Sequence, residues 1–189
     1  MIIRKYQPTD KEQVKLIIKE VLTEFFEKTF IKEWENFEEY SAFYIAEDNG
    51  KIIGTIAMKN QGNNIGRLKR MYVDKEYRKK GIAQKLYDQL ENSAKNQGIR
   101  KISLTTHKTM MGPANNFYKK NGYKQLKEVS YELFPELKNE DVNLAEVIAY
   151  EKTLNLSQGK VSQDFRNENI SESARKSKDF RQNRRLSGI

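Results

Sequence analysis

Residues 77–83 read YRKKGIA, with Arg78, Lys79 and Lys80 set directly before Gly81. The residues that follow, QKLYDQLENSAKNQG, have the apolar spacing of an amphipathic helix. A helix N-terminus already carries partial positive charge and four unpaired N–H groups. Three further cations at that point cost the free protein energy unless an anion belongs there. Backbone amides at a strand-to-helix turn can converge on one phosphate group, and the helix dipole adds to them. Gly81 lets such a group approach without a Cβ, and Ala83 keeps the next turn small. Taken alone, the stretch fits a solvated basic turn better, since that is the commoner use of a charge run. Two familiar phosphate cradles are excluded, because neither G-x-x-x-x-G-K-[ST] nor G-x-G-x-x-G occurs.

Composition narrows the remaining chemistry. The chain has no cysteine, which excludes disulfides, thiolate metal sites and a cysteine nucleophile. Its one histidine, His107, leaves little for a histidine metal cage or a serine triad, and no metal is expected. The 189 residues suffice for one domain with a proper core. No apolar run approaches the ~20 residues of a membrane span. The start, MIIRKYQPTD, turns polar after three residues, so no secretory signal and a cytoplasmic location are expected. The net charge is +9, of which residues 155–189 supply +4 through eight Lys/Arg against four Asp/Glu.

The elements that must position the basic turn follow from periodicity. IIRKYQ reads as a first strand, and Pro8-Thr9-Asp10 as a turn with an N-cap. Val14, Ile17, Ile18, Val21, Leu22, Phe25 and Phe26 recur at helical spacing, and Phe30–Tyr40 reads as a second, shorter helix. SAFYIAED and KIIGTIAMKN flank Asn49-Gly50, a strong hairpin signal, and IGRLKRMYV is a third long strand. After the helix behind YRKKGIA come the strand IRKISLTTH and a short helix over GPANNFYKK closed by Asn121-Gly122. YKQLKEVSYELF and VNLAEVIAYEKTL read as two last strands. The class is therefore α+β, with about seven strands in a mostly antiparallel sheet and about four helices. The crossover helix behind YRKKGIA demands one parallel pair. Residues 1–154 are read as one domain. Residues 155–189 are read as a basic polar tail, disordered or conditionally helical.

In that setting LKRMYVDKEYRKKGIAQKLYDQL resembles motif A of the GNAT superfamily of N-acetyltransferases, a strand followed by [RQ]-x-x-G-x-[GA] and a helix, here Arg78 to Ala83. ANNFYKKNGYK resembles motif B of the same family through Ala114, Tyr118, Gly122 and Tyr123. The order of elements matches from about residue 2 to 154. The resemblance implies a fold whose parallel pair splays at a β-bulge, opening a cleft for acetyl-CoA. The pyrophosphate is expected on the turn from Arg78 through Lys79, Lys80, Gly81, Ile82 and Ala83 to Gln84. The peptide-like pantetheine arm is expected along Met71, Tyr72 and Val73.

The reaction implied is acetyl transfer from the thioester to a primary amine by direct attack, the two reactants being held side by side. Tyr118 stands at the family's tyrosine position and is the expected acid for the leaving thiolate, its phenol being protonated at neutral pH. A backbone N–H near Met71 is expected to meet the oxyanion. Two departures stand out. Where many relatives carry a Glu, four residues before Met71, this chain has Arg67, which cannot act as a base. It could pair instead with a carboxylate on the acceptor, or be an exposed strand arginine. Candidate bases remain water or one of Glu24, Glu27, Glu35 and Glu39. Where relatives often carry an Asn, seven residues before the tyrosine, there is Met111, and the nearby Asn116 is assigned the cofactor contact in its place.

An amine acceptor is thus the expected partner, a small molecule before a protein. A homodimer is expected from the resemblance alone. The competing reading is a noncatalytic acyl-CoA-sensing or interaction module, which Arg67 favours and Tyr118 opposes. Nucleic-acid binding would rest on tail residues such as Arg175, Lys176 and Arg184, and the tail's four acidic residues argue against it.

Overall fold

The computed structural model describes residues 1–25, 36–108, 112–139 and 143–155. They form seven strands: β1 (Ile2–Lys5), β2 (Ala42–Asp48), β3 (Lys51–Asn60), β4 (Ile65–Val73), β5 (Lys101–His107), β6 (Lys124–Gln125) and β7 (Val147–Thr153). Among the described residues three helices flank them, α1 (Lys11–Thr23), α2 (Ile82–Asn96) and α3 (Gly112–Lys120). The sheet order is β1-β2-β3-β4-β5-β7-β6, antiparallel throughout except for the β4–β5 pair. The parallel pair is the one that the crossover through α2 requires.

Each sheet face is covered where the sequence supplies an apolar stripe. Leu86, Tyr87, Leu90 and Ala94 of α2 pack on Ile53, Ile56, Met58, Ile102 and Leu104. Val14, Ile17, Ile18 and Val21 of α1 pack on Phe43, Ile45, Ile52 and Ala57 on the opposite face. Each fully buried leucine or isoleucine contributes about 1.5–3 kcal/mol, so these two stripes set which face each helix takes. No described helix is long and apolar enough to cross a membrane.

Two sequence expectations change. The strand expected over residues 123–134 shrinks to Lys124–Gln125, which pairs with Glu151 and Tyr150. The rest turns away because its apolar residues are spaced by three. Leu126 and Val129, then Phe134 and Leu137, close over Val147 and Ala149 as a separate cluster, a spacing that alternation in a strand cannot bury on one face. Of the helix expected over Phe30–Tyr40, residues 30–35 lie outside the described residues. Its described end, Phe37–Glu39, is a single 3-10 turn capped by Asn36, whose Oδ1 accepts from the Glu38 N–H at 3.1 Å. From residue 156 onward the expected tail also lies outside the described residues.

Candidate active site

The site begins where β4 changes neighbours. β4 pairs with β5 only at Ile65, Gly66 and Arg67, opposite Lys101, Ile102 and Ser103. Beyond that point β5 keeps β7 as far as His107, and β4 keeps β3 as far as Val73. A bulge in β4 marks the divergence: Thr55 faces Tyr72 and Ala57 faces Lys69, so β4 holds one extra residue between them. Arg70 absorbs it with φ +54°, and Thr55 Oγ1 donates to the Arg70 carbonyl at 2.7 Å. A left-handed arginine costs roughly 1–2 kcal/mol; the buried Thr55 hydroxyl offsets part of that and holds the kink. The outcome is a cleft of about 630 Å³ in which Met71, Tyr72 and Val73 form one wall.

The basic turn closes one end of this cleft. Lys79 has φ +62° and Gly81 φ +78°, so the backbone reverses twice within three residues before α2 starts. Gly81 is the N-cap, and no side chain caps this helix end, nor is there an acidic residue in its first turn. The first helical bond there is Lys85 N–H to the Gly81 carbonyl at 3.1 Å, so the amides before Lys85 are left as donors in the manner of any helix start. A Cβ at Gly81 would meet no atom within 4 Å. Since Gly81, Ile82, Ala83 and Gln84 all line the cleft, those donors and that empty space belong to it. The arrangement suits a phosphate group.

Opposite stands α3. Tyr118 lines the cleft and is 6% exposed. Its ring is held by Phe117, Tyr123 and Tyr150 at centroid distances of 5.8, 5.7 and 6.0 Å. Burial pushes its phenol well above the ordinary value, and Tyr72 adds to the rise, so the hydroxyl keeps its proton at any physiological pH. The two walls are tied together. Gln84 Nε2 donates to Asn121 Oδ1 at 2.9 Å and Asn121 Nδ2 donates back to Gln84 Oε1 at 3.2 Å. Asn121 also donates to the Phe117 carbonyl at 3.0 Å. The start of α2 and the end of α3, where the two sequence motifs lie, are therefore one hydrogen-bonded unit.

The remaining expectations divide. Met71, Tyr72, Val73, Arg78, Lys79, Gly81, Ile82, Ala83, Gln84 and Tyr118 all line the cleft. Lys80 does not; it is exposed, with Nζ 4.9 Å from the centroid of the Tyr77 ring. Asn116 is exposed on α3 and outside the lining, because it lies two residues, some 200° of helix, from Tyr118. Its neighbour Asn115 is the buried one, and its Nδ2 reaches the carbonyls of His107 and Lys108 at 3.3 and 3.4 Å. Arg67 is neither exposed nor in the cleft. It is 4% exposed, its guanidinium lies 4.0 Å over the Phe134 ring, and Nη2 donates to the Leu133 carbonyl at 2.9 Å. Its Nε faces Glu136 Oε1 at 3.1 Å, too poorly aligned for a hydrogen bond. Burial lowers its pKa and Glu136 opposes that.

Of the carboxylates considered as bases, Glu24 is paired with Arg78 and Glu39 with Lys59, at 2.8 and 3.0 Å. Glu27 and Glu35 lie outside the described residues. Sequence reasoning missed Val21 and Phe25 of α1 as cleft walls. Their helical spacing marked them as core, and only the register of α1 against the bulge shows that its last turn reaches past the sheet edge of the core. Among the described residues no group of three or more His, Asp or Glu could hold a metal ion.

Comparison with known proteins agrees with this geometry. Residues 11–123 match the model of the "Acetyltransferase (GNAT) family". N-acetylaspartate synthetase from Xenopus tropicalis is 32% identical over 96 residues, half of this chain and 35% of that protein, so the match spans about a third of that relative's length. A GNAT-family acetyltransferase from Staphylococcus aureus superposes with a TM-score of 0.68 at 29% identity, over 82% of this chain and 99% of its own. The PaiA N-acetyltransferase of Thermoplasma acidophilum, solved with coenzyme A, superposes with a TM-score of 0.62 at 23% identity, over 81% and 98%.

Proposed function

The chain belongs to the acetyltransferase (GNAT) family, a family of acetyl-CoA-dependent N-acetyltransferases, and from that premise we propose that it transfers an acetyl group from acetyl-CoA to the primary amine of a small molecule. The observation that carries the reading is one cleft lined at once by the open strand Met71–Val73, the capless helix start at Gly81–Gln84 and the buried phenol of Tyr118. Acetyl-CoA supplies a thioester, with the pyrophosphate that such a helix start would take and a peptide-like arm that the unpaired side of β4 would take.

In this reading β4 beyond Arg67 offers N–H and C=O groups that β5 has left free, and the arm adds to the sheet like a further strand. Backbone donors at the bulge near Met71 lie where an oxyanion would form. Tyr118 gives its proton to the leaving sulfur. Its raised pKa makes it a weak acid, which matches a thiolate whose own basicity rises in the same apolar surroundings. The amine must shed one proton in all. No carboxylate lines the cleft among the described residues, and Arg67 holds the place where a glutamate would stand. Water, or one of Glu27 and Glu35, takes that proton, and the rate should rise with pH as the acceptor amine loses its charge.

The test is titration calorimetry of acetyl-CoA into the full chain, beside Gly81→Asp. The new carboxylate would enter open space at a φ that Asp tolerates better than most residues, so the variant should fold. Native binding weakened by about 100-fold or more in Gly81→Asp is the expected result, two charges of like sign being forced together at the helix start. A panel of small amines is then screened by thiol release, with no protein thiol to interfere. Absence of native binding would overturn the reading, and binding without transfer to any amine would leave the noncatalytic module in its place.

A further inference from the structure

Arg78 does not hang free in the cleft. Its Nη1 and Nη2 donate to Glu24 Oε2 and Oε1, both at 2.8 Å, in a two-pronged pair. Its Nε donates to the Val73 carbonyl at 3.0 Å. Glu24 is the C-cap of α1 and Val73 is the last residue of β4. One guanidinium therefore joins the last turn of α1, the open end of β4 and the basic turn. It spends three of its five donors on this and keeps two.

This joint works against anion attraction. Glu24 neutralises one of the cations that drew attention to the turn. A carboxylate at a helix C-terminus also opposes the dipole, and α1 has no basic residue in its last turn to relieve it. The pair makes sense as geometry. Val21 and Phe25, three residues before and one after Glu24, line the same cleft as Met71 and Tyr118. The Thr23 hydroxyl on the same turn bonds back to its own helix, at the Lys19 and Glu20 carbonyls, so among the described residues it gives no tie to the basic turn.

Building on the acetyl-CoA reading, we infer that Glu24 is a positioning residue for acetyl transfer: through Arg78 it holds the last turn of α1 over the thioester arm, so that Val21 and Phe25 keep water from the acetyl group. Loosening the joint admits water. Water oxygen then attacks the acetyl carbonyl, the C–S bond breaks, and the products are acetate, free coenzyme A thiol and one proton. Transfer without this guard wastes donor.

The experiment uses the full chain, with acetyl-CoA as ligand and no amine present. Glu24→Gln keeps shape and removes charge; Glu20→Gln, an exposed carboxylate one turn earlier, is the control. The expected result in Glu24→Gln is thiol release per bound acetyl-CoA raised by about three- to tenfold for a lost charge-assisted pair, without weaker acetyl-CoA binding, because Arg78 regains its charge for the anion. Glu20→Gln should move neither. Thermal unfolding checks that each variant is folded. Should Glu24→Gln fail to fold, Arg78→Gln is read on thiol release per bound acetyl-CoA alone, because Arg78 itself lines the cleft and its loss weakens binding directly. In the double variant the effects of Glu24→Gln should vanish, since the partner they act through is gone. A folded Glu24→Gln with native thiol release overturns this inference and leaves the acetyl-CoA reading standing. A native chain that does not bind acetyl-CoA overturns both.

Discussion

The two halves of β4 share a strand and differ in everything that bears on function. Gly66 and Arg67 are paired on both edges, and the segment after β6 seals Arg67 from outside with Phe134, Leu133 and Glu136. Met71–Val73 is paired on one edge and opens into the cleft. The bulge at Arg70 is the boundary. Charge alone would place the site at the first half, since Arg67 sits there with Lys69 and Arg70. Backbone geometry places it at the second, where the side chains are apolar and the useful groups are amides and carbonyls. A cation buried with its own carboxylate is spent on the fold.

The sharpest way to test that division is to change one atom on each side of it. Tyr118→Phe removes only a hydroxyl that has no hydrogen bond to a described residue, while the ring keeps its three aromatic neighbours. Stability and acetyl-CoA affinity should stay within about twofold, and the transfer rate, read as thiol release with an accepting amine, should fall about 10²-fold or more. Loss of affinity and rate together would mean that Tyr118 shapes the cleft and gives no proton.

Arg67→Met is the counterpart in the sealed half. It strands Glu136 with only Lys69, 3.6 Å away, and should destabilise the chain by about 1–3 kcal/mol in urea unfolding. Arg67→Met with Glu136→Leu should recover most of that, because both charges leave together. Acetyl-CoA affinity should change less than twofold in either. An affinity loss comparable to that of Gly81→Asp would erase the distinction between the halves.

These contrasts also show what the sequence carried. The order of elements and the parallel crossover follow from local pattern, because turns, caps and periodicity act over a few residues; the stretches Met71–Val73 and Gly81–Gln84 are marked by the family resemblance of the motif that spans them. The fate of Arg67 does not. It depends on Phe134 and Glu136, nearly seventy positions away, folding back once the expected strand over 123–134 gives way to spacing by three. Glu24 is a similar case. Its helix position made it one of several equivalent carboxylates, and only its meeting with Arg78, 54 residues on, separates it from the others. Lys80 and Asn116 fall outside the cleft lining for a smaller reason: a motif names a run of residues, whereas a turn and a helix point neighbouring side chains in different directions.

The smallest expected effect concerns how β7, beyond the sealed edge of β4, is held to α2, and it is read in acid. Glu91 of α2 accepts from Lys152 of β7 at 2.5 Å and pairs with Lys95 at 2.8 Å. Burial pushes its carboxyl up, but the hydrogen bonds from Lys152, Lys95 and Tyr87 outweigh that and leave it at about 2. A carboxyl depressed in the folded state stabilises the fold above its unfolded pKa of about 4.3 and loses that contribution as pH falls toward 2. The full shift would correspond to about 3 kcal/mol by linkage; partial exposure of both partners reduces this to about 1–2 kcal/mol. Glu91→Gln should therefore lower stability by that amount at pH 7 and flatten the acid side of the stability profile between about pH 4.5 and 2. Met71–Val73 and the Gly81 turn hold no carboxylate, so acetyl-CoA affinity at pH 7 should be unchanged in the same variant. An unchanged acid profile would mean that Lys152 serves the rings of Tyr87 and Tyr123, which it overlies at 5.2 and 5.9 Å, and that packing rather than the ion pair joins β7 to α2.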